Sequence, residues 1–170
     1  MKYFFPVIFL FLISCGGKGN LQLPGVSIEK NAKLEAMQKF HIAALKAQDN
    51  ILLWVAIPGS DESKVLLSAF ISGGHTSPET ALRSSFRNDT VHRAKIDTLI
   101  SHYGTLLNAY KDVTSSLNSI ADYNDPARML PAQAMVYDND GAVRMLFRRF
   151  ENELTALEQE SEEPAAVVIR

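Results

Sequence analysis

The chain has 170 residues and a formal charge of −2, with 46% hydrophobic residues and a single cysteine. Near-balanced charge gives no global basic field to draw in nucleic acid, and one cysteine excludes an intrachain disulfide. The length suits one domain with a proper core.

In chain order, the first element is an apolar run from Tyr3 to Ile13, preceded by Lys2 and followed by Ser14 and Cys15. It is too short for the roughly twenty residues a helix needs to cross a bilayer, and its layout is that of a secretory signal peptide. Leu12, Ile13, Ser14 and Cys15 occupy in order the positions of a lipidation box. On these residues the N-terminus resembles a bacterial lipoprotein precursor, although Ile13 is bulkier than the usual residue at its place.

That resemblance implies cleavage between Ser14 and Cys15, a diacylglycerol on the Cys15 thiol, and a palmitate-type chain on the new amino terminus. Two or three chains make a stable anchor where one binds only marginally. Acylation of Cys15 would also remove the only thiol from any chemistry in the remainder. Gly16 follows the cysteine where Asp often retains lipoproteins in the inner membrane. In a two-membrane bacterium the expected address is therefore the outer membrane, facing the periplasm; in a one-membrane bacterium it is the outside of the cell membrane.

Removing residues 1–14 leaves about 155 residues. Residues 15–27 read as the lipidated cysteine and a flexible Gly-rich tether, and 28–160 as a helical domain. The spacing predicts a first helix from Ile28 to about Ile57, with Met37, Phe40, Ala44, Ala47, Ile51 and Trp54 forming one apolar stripe. Pro58-Gly59-Ser60 ends it, and Ser60 is placed to cap a second helix through Ile71. Gly73-Gly74 stops that helix. Ser77-Pro78-Glu79 then supplies a cap, a first-position proline and an early acid for a short helix to about Arg87.

From Thr90 to Asp122 the residues Ile96, Leu99, Tyr103, Leu106, Tyr110, Val113, Leu117 and Ile120 step by three and four without a miss. Gly104 within this seam suggests close approach of another helix. Asn124-Asp125-Pro126 closes the helix, and a segment holding Pro126 and Pro131 crosses over, with room for a helical turn. Asp138-Asn139-Asp140-Gly141 provides a turn and an N-cap for a last helix carrying Val143, Phe147, Phe150, Leu154 and Leu157 on one face. The end, residues 161–170, reads as a disordered or loosely docked tail broken at Pro164.

The expected fold is all-α, an antiparallel helical bundle of three long helices plus shorter ones. A coiled-coil dimer through the heptad seam is the rival. The e and g-type positions lack its regular charge pattern.

Candidate chemistry is sparse. Asp89 and His92 have the i, i+3 spacing of a helical metal unit, but a di-metal bundle needs that unit twice plus further acids, for which only Glu35 offers itself. The plainer expectation is Asp89 capping a helix with His92 at its edge. The Asp138–Gly141 segment lacks the later oxygen ligands of a calcium loop. Neither a nucleophile elbow nor a phosphate loop occurs. Asn88-Asp89-Thr90 matches a glycosylation sequon, incidental beside a bacterial signal.

Arg144, Arg148 and Arg149 cluster on the last helix, and Arg83, Arg87 and Arg93 surround Asn88. Both groups read first as solvated faces balanced by acids such as Glu151 and Glu153, and second as contacts for anionic headgroups or an acidic partner. Tyr103 and Tyr110 are expected in the core with hydroxyls at its edge, and Trp54 in the core.

The resulting expectation is a non-enzymatic, lipid-anchored envelope lipoprotein without cofactor or metal. Its bundle would bind another envelope protein in assembly or exclusion. The alternative is a small-ligand or lipid carrier using the bundle interior.

Overall fold

The structure, a computed structural model, describes residues 28–162 and, within them, the side chains of residues 31–161. Ser14, Cys15, the tether to residue 27 and residues 163–170 lie outside the described residues. Every regular element among the described residues is helical, so the fold is all-α.

The helices are α1 (Ile28–Ala56), α2 (Asp61–Ala69), α3 (Thr76–Ser85), α4 (Arg93–Ser116), α5 (Ile120–Tyr123), α6 (Pro126–Tyr137) and α7 (Ala142–Glu162). A π-helical turn, Phe70–Gly74, joins α2 to α3. All six stripe residues of α1 are buried, as are all five of α7 and seven of the eight seam residues of α4. Hydrophobic burial at helical spacing therefore explains the three long elements.

Long-range contacts give their directions. From α1 to α4, Phe40 meets the Tyr103 ring at 4.9 Å, Gln48 accepts a hydrogen bond from the Tyr110 hydroxyl at 2.7 Å, and Trp54 Nε1 donates to the Leu117 carbonyl at 3.0 Å. Both helices therefore advance together, in parallel. Between α4 and α7, Lys95 pairs with Glu160 and His102 with Glu153, so these two run oppositely. Between α1 and α4 the chain returns through α2 and α3: Lys64 stands over the Trp54 ring at the far end of α1, and Phe86 lies beneath Lys33 near its start.

Rings from three helices fill the centre. Phe40, Tyr103 and Phe150 are fully buried, with centroids 4.9 to 5.5 Å apart. Such pairs add about 0.5–1.5 kcal/mol each beyond the area they bury.

Several local expectations are corrected. Ser60 makes no side-chain cap bond. The Gly73-Gly74 pair does not simply end a helix. The chain runs through the π-helical turn, bends at Gly73 (φ 157°, ψ −12°), and re-enters a helix at Thr76, one turn position before the anticipated Ser77 cap. Thr76 Oγ1 holds this bend by donating to the Gly73 carbonyl at 2.7 Å.

The seam helix stops at Ser116, and Ile120 falls on the separate turn α5, 69% exposed. A Ser119–Asp122 capping box starts that turn. The segment after Pro126 is a helix of 12 residues with Pro131 inside. An interior proline costs about 3 kcal/mol, but here Asp125 caps through Ala127 N–H, Pro126 takes the favourable first position, and Ala132 and Val136 are buried in the core.

Gly104 opens onto empty space rather than a close helix. The glycine that close approach does require is Gly141, where an added Cβ would stand 2.2 Å from the Ala134 carbonyl oxygen and 2.6 Å from that of Met135.

Candidate interaction surface

The residues singled out for chemistry are engaged in holding helices together. Asp89 precedes α4, takes the His92 backbone N–H at 3.0 Å, lies 2.9 Å from His92 Nδ1, and receives Lys33 Nζ of α1 at 2.8 Å. Burial works against its negative charge, but the hydrogen bonds from Lys33 and His92 outweigh it and hold the carboxyl well below the usual carboxylate range. Glu35 points outward and pairs with Lys39. Among the described residues, no three histidine, cysteine or acidic side chains converge as a metal would require.

A second polar cluster joins α4 to α7. Arg149 Nη2 donates to His102 Nε2 at 2.8 Å, and this leaves the ring proton on Nδ1, which donates to Glu153 Oε2 at 2.7 Å. Glu153 also takes Arg149 Nε at 3.0 Å. Arg149 is thus balanced by Glu153 as expected, whereas Glu151 faces His41 at 3.7 Å instead. Arg144 donates to the Tyr137 carbonyl at 2.9 Å.

The tyrosines divide. The Tyr110 hydroxyl reaches Gln48, but that of Tyr103 is buried with no hydrogen-bond partner, contrary to the expectation that it reaches an edge. Burial raises the pKa of both phenols, and burial also raises that of Glu79, at the start of α3.

The surface itself is asymmetric. On α1, at about 100° per residue, Ile42, Leu45 and Leu53 lie opposite the buried stripe of Phe40, Ala44 and Ile51. Ile42 is 52% and Leu53 41% exposed, so apolar side chains stand uncovered on an outer face that they share with Glu35, Gln38 and Asp49. Leu53 and Ile57 belong to the end of α1 that meets Leu117 and Tyr123. The exposed Val65 and Leu66 of α2, Ile120 of α5, Leu130 and Tyr137 of α6 and Met145 of α7 all sit on elements at that same end. At the opposite end, where α1 begins, Val91 is the one large hydrophobic exposed among the described residues. Ion pairs occur at both ends: Lys33–Asp89, Arg83–Asp97 and Lys95–Glu160 here, and Arg128 with Asp122 and Asp125 at the other.

Scattered exposed hydrophobics are ordinary; here eight of the eleven exposed large ones sit on elements at one end. Sequence reasoning named the buried stripe of α1 and passed over the outer one. Their signal in the sequence is weak, since Glu35, Gln38 and Asp49 interleave with Ile42, Leu45 and Leu53 on the same face. Two open clefts also line the surface: one of about 340 Å3 between α4 and α7 beside Lys95 and Leu157, and one of about 430 Å3 bounded by Leu52, Tyr137 and Phe147.

No protein-family model, curated protein or solved structure matches the chain. No helix among the described residues is long and apolar enough to cross a membrane.

Proposed function

We propose that the chain is a lipid-anchored lipoprotein of the bacterial envelope, non-enzymatic, whose helical bundle binds another envelope protein as an assembly accessory or an exclusion factor. The anchor rests on the Leu12-Ile13-Ser14-Cys15 box, with the outer membrane, periplasmic side, as its expected place. The binding role rests on one observation: most of the large exposed hydrophobics, Leu53 of α1 among them, sit on elements at the Trp54 end of α1.

In this reading the rods form an antiparallel bundle. α1, the α2–α3 pair, α4 and α7 alternate in direction, and α6 crosses the far end. A tether at the start of α1 then keeps the Lys33–Asp89 end of the bundle within reach of the bilayer. The carrier alternative has less in its favour, because Phe40, Tyr103 and Phe150 fill the centre at close-packed ring distances.

Two measurements test the proposal. Labelling with a radioactive or clickable fatty acid should mark the wild-type chain and not Cys15→Ala. Label retained on that variant would end the lipoprotein reading. A photo-crosslinker at Leu53 or Ile42 should trap one defined envelope protein, and a crosslinker at Lys95 should not. Equal trapping from both ends would end the binding-surface reading.

A further inference from the structure

Beside the break between α3 and α4 lies a small pocket of about 140 Å3, bounded by Arg83, Arg87, Arg93 and Asp97, with Phe86 and Ile96 as its apolar floor. Phe86 and Ile96 are almost completely buried, so the floor is a fixed part of the core. The sequence brings the three arginines together because α3 ends at Ser85 and α4 begins at Arg93, and the chain turns back on itself between them.

The charge in this pocket is unbalanced. Asp97 is engaged by Arg83 across the two helices. Asp89, in the same break between α3 and α4, is taken up by Lys33 and His92. Among the described residues Arg87 and Arg93 make no ion pair, and both are exposed. Two guanidinium groups thus face a concave site with their acids already used. Planar guanidinium forks match phosphate oxygens bidentately, and the pocket has room for a tetrahedral anion.

Its position adds a second argument. The Lys33 ammonium of α1 stands 5.4 Å above the Phe86 ring, so the pocket adjoins the beginning of α1. Cys15 precedes Ile28 by thirteen peptide steps, which span at most about 45 Å at full extension. A chain anchored at Cys15 therefore keeps this end within reach of the headgroup layer.

We infer that Arg83, Arg87 and Arg93 form a binding site for the phosphate of an anionic lipid headgroup, which sets the orientation of the bundle on the membrane. The membrane source rests on the lipoprotein reading; the phosphate chemistry does not.

The test uses the full chain carrying Cys15→Ala, so that no acyl chain contributes whether or not lipidation occurs. Co-sedimentation is measured with phosphatidylcholine vesicles and with vesicles rich in phosphatidylglycerol. Any insertion by the N-terminal apolar run is common to both and to every variant. The expected result is tighter binding to the anionic vesicles, reduced about fivefold by Arg87→Gln or Arg93→Gln and about twenty-five-fold by the pair. Arg144→Gln with Arg148→Gln, at the other end, should leave the preference unchanged.

No preference for anionic vesicles overturns the inference, as does equal loss in the control pair, which would mean diffuse charge attraction. Inorganic phosphate is the third arm. Micromolar saturation by phosphate without vesicle preference would make this a free-phosphate site and overturn the membrane assignment. Weak millimolar competition against the vesicles supports it.

Discussion

Lys33 Nζ, in the second turn of α1, lies 2.8 Å from Asp89 Oδ2, 56 residues further on, with the two side chains 17% and 14% exposed. This contact ties the start of α1 to the start of α4, and Asp89 at the same time takes the His92 backbone N–H. Hydrogen bonds to a half-sheltered charge stabilise by about 1.5–3 kcal/mol, more than an open surface pair. Asp89→Asn should therefore cost about 2 kcal/mol in denaturant unfolding.

The same residue carries a pH signature. Folding lowers the Asp89 pKa, so in acid the unfolded chain binds the proton more readily. Its contribution is present in full well above the unfolded value of about 3.9 and is lost as pH falls toward the lower folded value. The stability difference between wild type and Asp89→Asn should therefore be constant near neutrality and shrink below about pH 4. A difference that grows in acid would contradict this assignment.

Tyr103 should behave contrary to the usual rule for core residues. Its ring packs against Phe40 and Phe150, and its hydroxyl has no partner. An unsatisfied buried polar group costs about 1–3 kcal/mol, and Phe keeps the ring while removing that group. Tyr103→Phe is expected to raise the thermal midpoint or leave it unchanged, whereas Tyr110→Phe, which loses the bond to Gln48, should lower it.

Two glycines should respond oppositely to alanine. Gly104 sits mid-helix with open space around its missing Cβ, so Gly104→Ala should stabilise by about 0.5–1 kcal/mol through helix propensity. At Gly141 the new methyl would meet backbone oxygens of α6 that cannot step aside singly. Gly141→Ala should destabilise by about 2 kcal/mol or more and loosen the α6–α7 turn. Urea midpoints of the two variants, compared with wild type, decide both.

The exposed face of α1 should be separable from the fold. Ile42→Lys and Leu53→Lys replace uncovered side chains, so stability should change by no more than about 0.5 kcal/mol. Under the proposed binding role, both substitutions should abolish the specific crosslink. A variant that unfolds would mean these side chains are core residues, and one that still crosslinks normally would place the contact elsewhere.

Much of this molecule is written in one dimension. The three long helices were legible because each must bury one face, and the period of burial survives in the residue order: Met37 to Trp54, Ile96 to Leu117 and Val143 to Leu157 are all buried. The resemblance of Leu12-Ile13-Ser14-Cys15 to a lipidation box is likewise a purely local pattern. Helix α6 was not legible, since Pro131 argues locally for a break, and only the cap at Asp125 and the burial of Ala132 and Val136 override it. The π-helical turn before Thr76 also escaped, because two glycines permit many paths and packing selects one.

The candidate surfaces divide along the same line. Residue order alone determined the all-α class, the helical stripes and the signal-like N-terminus, because these follow from neighbours a few residues apart. Tertiary structure alone decided that Lys33 belongs to Asp89, that Arg87 and Arg93 face a shared pocket beside the beginning of α1, and that the uncovered hydrophobics gather at the opposite end. Lys33 and Asp89 are 56 positions apart, and even Arg87 and Arg93, six apart, share a pocket only because the chain turns back between α3 and α4 and helix packs on helix.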